Sequence, residues 1–233
     1  MSAPTPSSIE TKLRNGLDAL ELALTDAQVQ QLLDYQALIG KWTQVYNLTA
    51  VRDPAEMMTH HLLDSLAAVP PLKRHLQQAG LTERSRLLDV GSGAGLPGVV
   101  IAVCCPTVAV TCVDTVNKKA TFIKQAALSL KLPNLAGLHA RVESLNPNTT
   151  TPFDVVCSRA FASLVDFTQW SASALAPHGV WLAMKGKPPT DELALLPPTV
   201  DVFHVEQLQV PGLGAERCLL WLRPKAVPSK HIS

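Results

Sequence analysis

The chain has 233 residues, 47% of them hydrophobic, and a formal net charge of +1. That size and apolar content suit one large domain, or a domain with a helical extension. A charge so near zero argues against gross non-specific attraction to nucleic acid, and leaves room for a local basic patch.

The opening "MSAPTPSSIETKLRN" lacks the apolar core of a signal peptide, and no apolar run is long enough to span a bilayer. A cytoplasmic protein without membrane contact is therefore expected. Residues 1–6 read as frayed. "SSIE" from Ser7 to Glu10 and "TDAQ" from Thr25 to Gln28 fit capping boxes, each opening a helix. After the second, Val29, Leu32, Leu33, Leu38, Ile39, Trp42, Val45 and Tyr46 keep helical spacing. "DPAE" marks another start, with Asp53 as cap, Pro54 in the first turn and Glu56 two residues on. Its helix runs through "MMTHHLLDSLAAV" to a stop at Pro70 and Pro71, and a short helix precedes Gly80. Residues 1–83 thus read as an all-helical extension.

From Arg86 the pattern changes. "RLLDV", "VAVTCV", "LAGLHA", "FDVVCS" and "GVWLAMKG" are short and mostly apolar on both faces, as buried parallel strands are. Helical stretches lie between them: "PGVVIAVCC", "NKKATFIKQAALSLKL" and "SLVDFTQWSASAL". The alternation implies a doubly wound α/β sheet over residues 84–225. "VDVFHVEQLQV" and "RCLLWLRP" read as a terminal hairpin antiparallel to the rest, and the basic tail 226–233 as flexible. The cysteines, Cys104, Cys105, Cys112, Cys157 and Cys218, are odd in number and hold no C-x-x-C pair. They read as core thiols of a reducing compartment, and no metal site is expected.

"LLDVGSGAGLPG", residues 87–98, feeds a strand through a glycine-rich turn into a helix. Such a turn sets free backbone N–H groups beside a ligand. Two cofactor readings compete. Gly93, Gly95 and Gly98 match the dinucleotide fingerprint, with Asp114 at about the right distance, ~20 residues on, to hold a ribose. Gly91, Gly93 and Gly95, with Asp89 just ahead, equally suit S-adenosylmethionine, whose ammonium favours an acidic neighbour. Asp114 suits ribose hydroxyls under either reading. Chemistry favours methyl transfer: Tyr35 and Tyr46 precede the sheet, and neither has the lysine four residues on that a short-chain dehydrogenase needs.

At "NLTAVRDPAEMMTHHLLDSL", "LLDVGSGAGLPG", "ARVESL", "FDVVCSRAFASL" and "LAMKGKPP" the chain resembles the RsmG family, also called glucose-inhibited division protein B. The blocks occur in the family's order between Tyr46 and Glu216. The chain departs from many members in a longer "HLQQAGLTERSR" segment, the insert "NPNTTTP" and its basic tail. The resemblance implies a class I S-adenosylmethionine-dependent methyltransferase: a Rossmann-like, mostly parallel seven-stranded sheet with a C-terminal antiparallel hairpin. It implies methylation of a guanine N7 in 16S rRNA, with the small ribosomal subunit or its precursor as partner. It assigns the cofactor to Gly91, Leu96, Val142, Glu143 and Arg159, beside Gly93 and Asp114 from the glycine-loop reading, and substrate positioning to Asn47, Arg141 and Lys185. Nothing in the sequence asks for more than a monomer.

Guanine N7 carries an in-plane lone pair and needs no proton removed, so in-line transfer by positioning, without an obligatory general base, is expected. "SRAF" stands where other methyltransferases carry an Asn-Pro-Pro-Tyr motif for exocyclic amines. Cys157, within an apolar strand, reads as core rather than nucleophile. Lys185 and Lys187 are favoured for phosphate contact over Lys118, Lys119, Lys124 and Lys131, which read as a solvated helix face. Two alternatives stand beside this reading. One is a methyltransferase of another RNA or a small molecule on the same fold. The other is a ribosome-binding module with a vestigial cofactor site, in which the loop, Asp114, Glu143 and Arg159 would be the first positions to decay.

Overall fold

A computed structural model describes residues 6–161 and 163–225. The expected flexible tail, 226–233, lies outside them, as do residues 1–5 of the expected frayed start. Pro6 already belongs to the first helix.

The N-terminal part is helical. α1 spans Pro6–Ala19, beginning one residue before the expected cap, and α2 spans Asp26–Tyr46. Thr25 and Gln28 form the expected reciprocal capping box, so two of the orphan amides at the start of α2 are satisfied locally. α2 buries Val29, Leu32, Tyr35, Ile39 and Thr43. Val45 and Tyr46 keep the helical spacing and yet are exposed, at 69% and 42%, where the helix ends. α3 (Pro54–Met57) starts on the Asp53 cap, whose Oδ1 accepts from the Glu56 amide at 2.9 Å. It continues through a π-helical stretch, Met58–Leu63, into α4 (Asp64–Leu66). That run ends at Leu66, short of the expected stop, and Pro70 and Pro71 lie instead in the first turn of α5 (Val69–Gln78), where a missing N–H costs nothing.

The rest is an α/β sheet: β1 (Arg86–Val90), α6 (Gly98–Cys104), β2 (Ala109–Asp114), α7 (Asn117–Ser129), β3 (Leu135–His139), β4 (Phe153–Ser158), α8 (Leu164–Ser171), β5 (Leu175–Lys185), α9 (Thr190–Ala194), β6 (Val200–Leu208) and β7 (Arg217–Pro224). The sheet has seven strands in the order β3-β2-β1-β4-β5-β7-β6. β1 to β5 pair in parallel, and β7 runs antiparallel to both β5 and β6, as the hairpin pattern predicts. Successive strand residues go to opposite faces. Leu87, Val155 and Leu182 join one apolar cluster, and Leu88, Val156 and Ala183 the other. The first cluster also takes Leu13, Leu32, Ile39 and Leu66, so the N-terminal helices share their core with one face of the sheet.

Polar side chains on α2 complete that union. Gln28 Nε2 donates to Val103 O at 2.7 Å and Gln31 Nε2 to Leu130 O at 2.7 Å. Both acceptors are carbonyls at the C-terminal ends of α6 and α7, which have no intrahelical donor. Tyr35, fully buried, donates from its hydroxyl to Ala94 O at 2.5 Å, inside the glycine loop. Tyr35→Phe should lower the free energy of unfolding by about 1–2 kcal/mol. Urea denaturation would read this as a lower midpoint at unchanged slope; an unmoved midpoint would mean that α2 does not brace the loop.

Candidate active site

The glycine loop leaves β1 where the strand order reverses, between β1 and β4. In open α/β sheets ligands lie at such a switch point, outside the carboxyl ends of the strands. Asp89 holds the loop from beneath. It is fully buried, and its Oδ2 accepts from the Gly98 amide at 2.8 Å. Residue 98 has to be glycine for this approach. A Cβ there would stand 2.4 Å from Cys112 Sγ and 2.8 Å from Asp89 Oδ2. Burial pushes the Asp89 carboxyl up to about 7, against the Gly98 amide and the Arg159 charge, which both favour the carboxylate.

Asp114, the last residue of β2, holds the loop from the side. Its Oδ2 accepts from the Gly93 amide at 3.0 Å and its Oδ1 from the Val116 amide at 2.9 Å. Lys119 Nζ lies 3.6 Å from Oδ2. A carboxylate offers about four lone-pair sites, so Asp114 keeps acceptor capacity. It borders a cleft of about 200 Å³ together with Gly91, Val142, Glu143, Phe161 and Trp170. Gly91 and Gly93 take left-handed φ values of 65° and 59°, and a Cβ on either would meet nothing within 4 Å. Bare backbone therefore faces open space at both positions. Leu96 packs its side chain into the core instead.

Val142 and Glu143 follow β3 in a short 3-10 turn, Val142–Ser144. Val142 is buried, while Glu143 is exposed and accepts from Arg141 Nη2 at 3.1 Å. Its own backbone N–H, and then Arg141, hold the Glu143 carboxyl below the usual carboxylate range. Phe161 and Trp170 meet edge to face across 5.6 Å, and Trp170 is 42% exposed.

A larger cleft, about 530 Å³, opens between the N-terminal helices and the sheet edge. His60, His61, Asp64, Arg159, Lys185 and Arg217 border it. The histidines come from the π-helical stretch, a distortion frequent at functional sites. His61 Nε2 lies 2.7 Å from Thr49 Oγ1, and its Nδ1 is buried with no hydrogen-bond partner. Burial, then the Arg159 charge, lowers its pKa, so the imidazole is neutral at pH 7. Arg159 Nη1 donates to His60 O at 3.1 Å and lies 3.3 Å from Asp64 Oδ2. Lys185 is held by both oxygens of Glu192, each at 2.9 Å. Lys187 is 82% exposed, 4.0 Å from Glu216.

Most residues singled out in the sequence thus collect at the strand ends, divided between the clefts. Asn47 does not line either of them. It caps α2 with φ 50° and accepts from Arg52 Nη2 at 2.8 Å, the work of a turn brace. Cys157 is fully buried, its thiol pushed up by burial, which suits a core residue. Sequence reasoning missed His61, Asp64 and Arg217. The available signal was the polar residues of "MMTHHLLDSLAAV", Thr59, His60, His61, Asp64 and Ser65, set among apolar ones.

A family model described as GidB, rRNA small subunit methyltransferase G, matches residues 28–220. The ribosomal RNA small subunit methyltransferase G of Polaromonas sp. (strain JS666 / ATCC BAA-500) is 76% identical over 217 residues, which cover 93% of this chain and 94% of the relative. That of Acidovorax sp. (strain JS42) is 66% identical over 230 residues, covering 97% and 100%. Among solved structures, a SAM dependent methyltransferase from Aquifex aeolicus is similar at a TM-score of 0.52 and 17% identity, over 73% of this chain and 97% of that one. TrmN from Thermus thermophilus is similar at 0.50 and 17%, over 96% and 81%. At such identities the likeness speaks for the fold alone, a Rossmann-like class I methyltransferase fold. Among the described residues no helix is long and apolar enough to cross a membrane.

The buried Asp89 makes a prediction about pH. A carboxyl raised to about 7 in the folded chain binds more protons folded than unfolded between its ordinary value and 7. Stability therefore falls as pH rises through that window, by up to ~1.4 kcal/mol per pH unit. Asp89→Asn removes the titration, and its unfolding free energy should fall less steeply between about pH 5 and 7. Parallel pH profiles would show that Asp89 is ionised throughout.

Proposed function

The chain belongs to the rRNA small subunit methyltransferase G (GidB) family, and from that premise we propose that it transfers a methyl group from S-adenosylmethionine to N7 of a guanine in 16S rRNA. The observation that carries this reading is the braced glycine loop, which opens at the switch point onto a small cleft. The substrate is read as the small ribosomal subunit or its precursor, in the cytoplasm. One chain carries both clefts, which suits a monomer.

The residues present fit the cofactor. Gly91 and Gly93 offer backbone where no side chain stands, and the spare lone pairs of Asp114 suit ribose hydroxyls. Val142 and Glu143 border the same cleft and suit the adenine edge, with Phe161 and Trp170 as aromatic neighbours. Leu96 contributes by anchoring the loop in the core. Arg159 borders the larger cleft, yet its charge is felt at Asp89, so it suits the end of the cofactor nearest the substrate. When bound, S-adenosylmethionine supplies a methyl group made electrophilic by its sulfonium.

The chain's own residues then have to orient a base and exclude water. Arg141 stands at the rim of the small cleft, and Lys185 on the wall of the larger one, where guanine O6 or a phosphate is within its chemistry. Asn47 serves by keeping α2 and the following turn in place. No general base is called on, since N7 has no proton to lose. The target base has to be unpaired or splayed to be reached.

The test is nucleoside mass spectrometry on 16S RNA, free and in small subunits, from a strain lacking this gene. With purified protein and labelled S-adenosylmethionine, 7-methylguanosine should appear at one site. Any other modified nucleoside, or none, would overturn the reading. The single-turnover rate at saturating substrates should be flat between about pH 7.5 and 9, whereas a bell-shaped profile would reveal a general base. Asp114→Ala should weaken cofactor binding by ~100-fold in calorimetry, the loss of hydrogen bonds to a charged group. An unchanged affinity would remove Asp114 from the ribose role.

A further inference from the structure

We infer that Arg217 is a phosphate contact for the RNA in the larger cleft, and that Asp64 is the residue that positions it. The inference deepens the proposed function and rests on it. β7 runs antiparallel to β5, so its first residues come to the edge where the parallel strands end. Lys185, the last residue of β5, pairs with Cys218, and Arg217 stands next to it. Arg217 there borders the same cleft as Arg159 and Lys185.

Asp64 fixes the aim of both guanidinium groups. Its side chain is 5% exposed. Oδ1 accepts from Arg217 Nε at 2.8 Å and Oδ2 lies 3.3 Å from Arg159 Nη1. Carbonyls complete the hold, Glu216 O on Arg217 Nη1 at 2.8 Å and His60 O on Arg159 Nη1 at 3.1 Å. An arginine has five N–H donors in a rigid fork. Among the described residues Arg217 Nη2 has no partner, and the Arg217 side chain is 25% exposed. It is neither a solvated surface charge nor a sealed core pair.

Charge bookkeeping points the same way. Tying the N-terminal helices to the sheet would take one arginine on one carboxylate. Here two cations share Asp64, whose one charge matches only one of them; Glu56, the other carboxylate bordering the cleft, forms no ion pair with either arginine. Lys185 contributes no such surplus, because Glu192 matches it. An oriented guanidinium with unspent N–H groups is suited to phosphate oxygens.

The experiment measures binding of 16S RNA without cofactor across a salt series, beside turnover and cofactor calorimetry on the same proteins. Arg217→Gln should raise the RNA Kd and KM by ~10-fold and reduce the slope of log affinity against log salt by about one, with cofactor Kd unchanged. Arg217→Lys should restore the salt slope and only part of the affinity. Asp64→Asn keeps both cations, so it should weaken RNA binding at an unchanged salt slope, as a positioning residue does. An unchanged RNA Kd and salt slope in Arg217→Gln would overturn the inference, as would a loss confined to cofactor affinity. If wild-type protein binds RNA but transfers no methyl group, the proposed function fails, while the salt slope still reports on Arg217.

Discussion

The bond from the Gly98 amide to Asp89 is the constraint on which the site depends. A carboxylate out of reach of water costs several kcal/mol unless it is partnered. Here the partner is the first amide of α6, so the loop can close only where that amide meets Asp89. Asp114 then fastens Gly93, and Tyr35 fastens Ala94 from the far side of the chain. Side chains from β1, β2 and α2 thus add to the loop's own backbone bonds, Gly91 N and Ser92 N to Val113 O and Gly95 N and Leu96 N to Ser92 O. A binding loop built this way loses little freedom when a ligand arrives, which is how preorganisation gains affinity.

The same logic makes the N-terminal helices part of the site. α2 satisfies the C-terminal carbonyls of α6 and α7 with glutamines and buries Tyr35 against the loop. The π-helical stretch and α4 turn His61 and Asp64 toward the strand ends, where Arg159 and Arg217 meet them. One wall of the larger cleft therefore comes from the helices and the other from the sheet. A substrate in that cleft touches both, so its fit depends on how firmly the two are joined.

Much of this was legible in the sequence, and what was not has a common cause. Strands apolar on both faces could be read because Leu87 and Leu88 must each find a core, and they do, on opposite sides of the sheet. Caps could be read at Thr25 and Asp53 because both partners lie within three residues. The register of the glycine motif stayed ambiguous because glycine does two jobs there. Gly91 and Gly93 carry left-handed backbone beside open space, while Gly98 admits the Asp89 carboxylate. Both jobs exclude a Cβ, so the letters look alike. Val45 and Tyr46 follow the helical period and still miss the core, since periodicity shows a direction and not how far the core extends. Arg159 stood out as a lone cation after a strand, but its partner Asp64 is 95 residues away and Arg217 meets Asp64 across 153. No local pattern encodes such a meeting; only the sheet order brings it about.

The near-neutral charge of the chain, +1, has a local counterpart in these pairings, which bears on how an RNA would be held. Asp64, Glu192 and Glu216 stand beside the cations of the larger cleft. Screened by these carboxylates, the cations cast little field beyond the Debye length of about 8 Å at physiological salt. Long-range attraction to any polyanion is therefore weak. Within the cleft the situation is different, because the guanidinium groups keep fixed directions and low exposure. Their interaction with phosphate is then short-ranged and geometric, favourable only for a backbone that already presents its oxygens at the right places. A folded ribosomal segment meets that demand at a small ordering cost, and a random single strand does not. On the proposed function, selectivity for a shaped RNA would then come from the carboxylates that pair and orient the cations of this cleft.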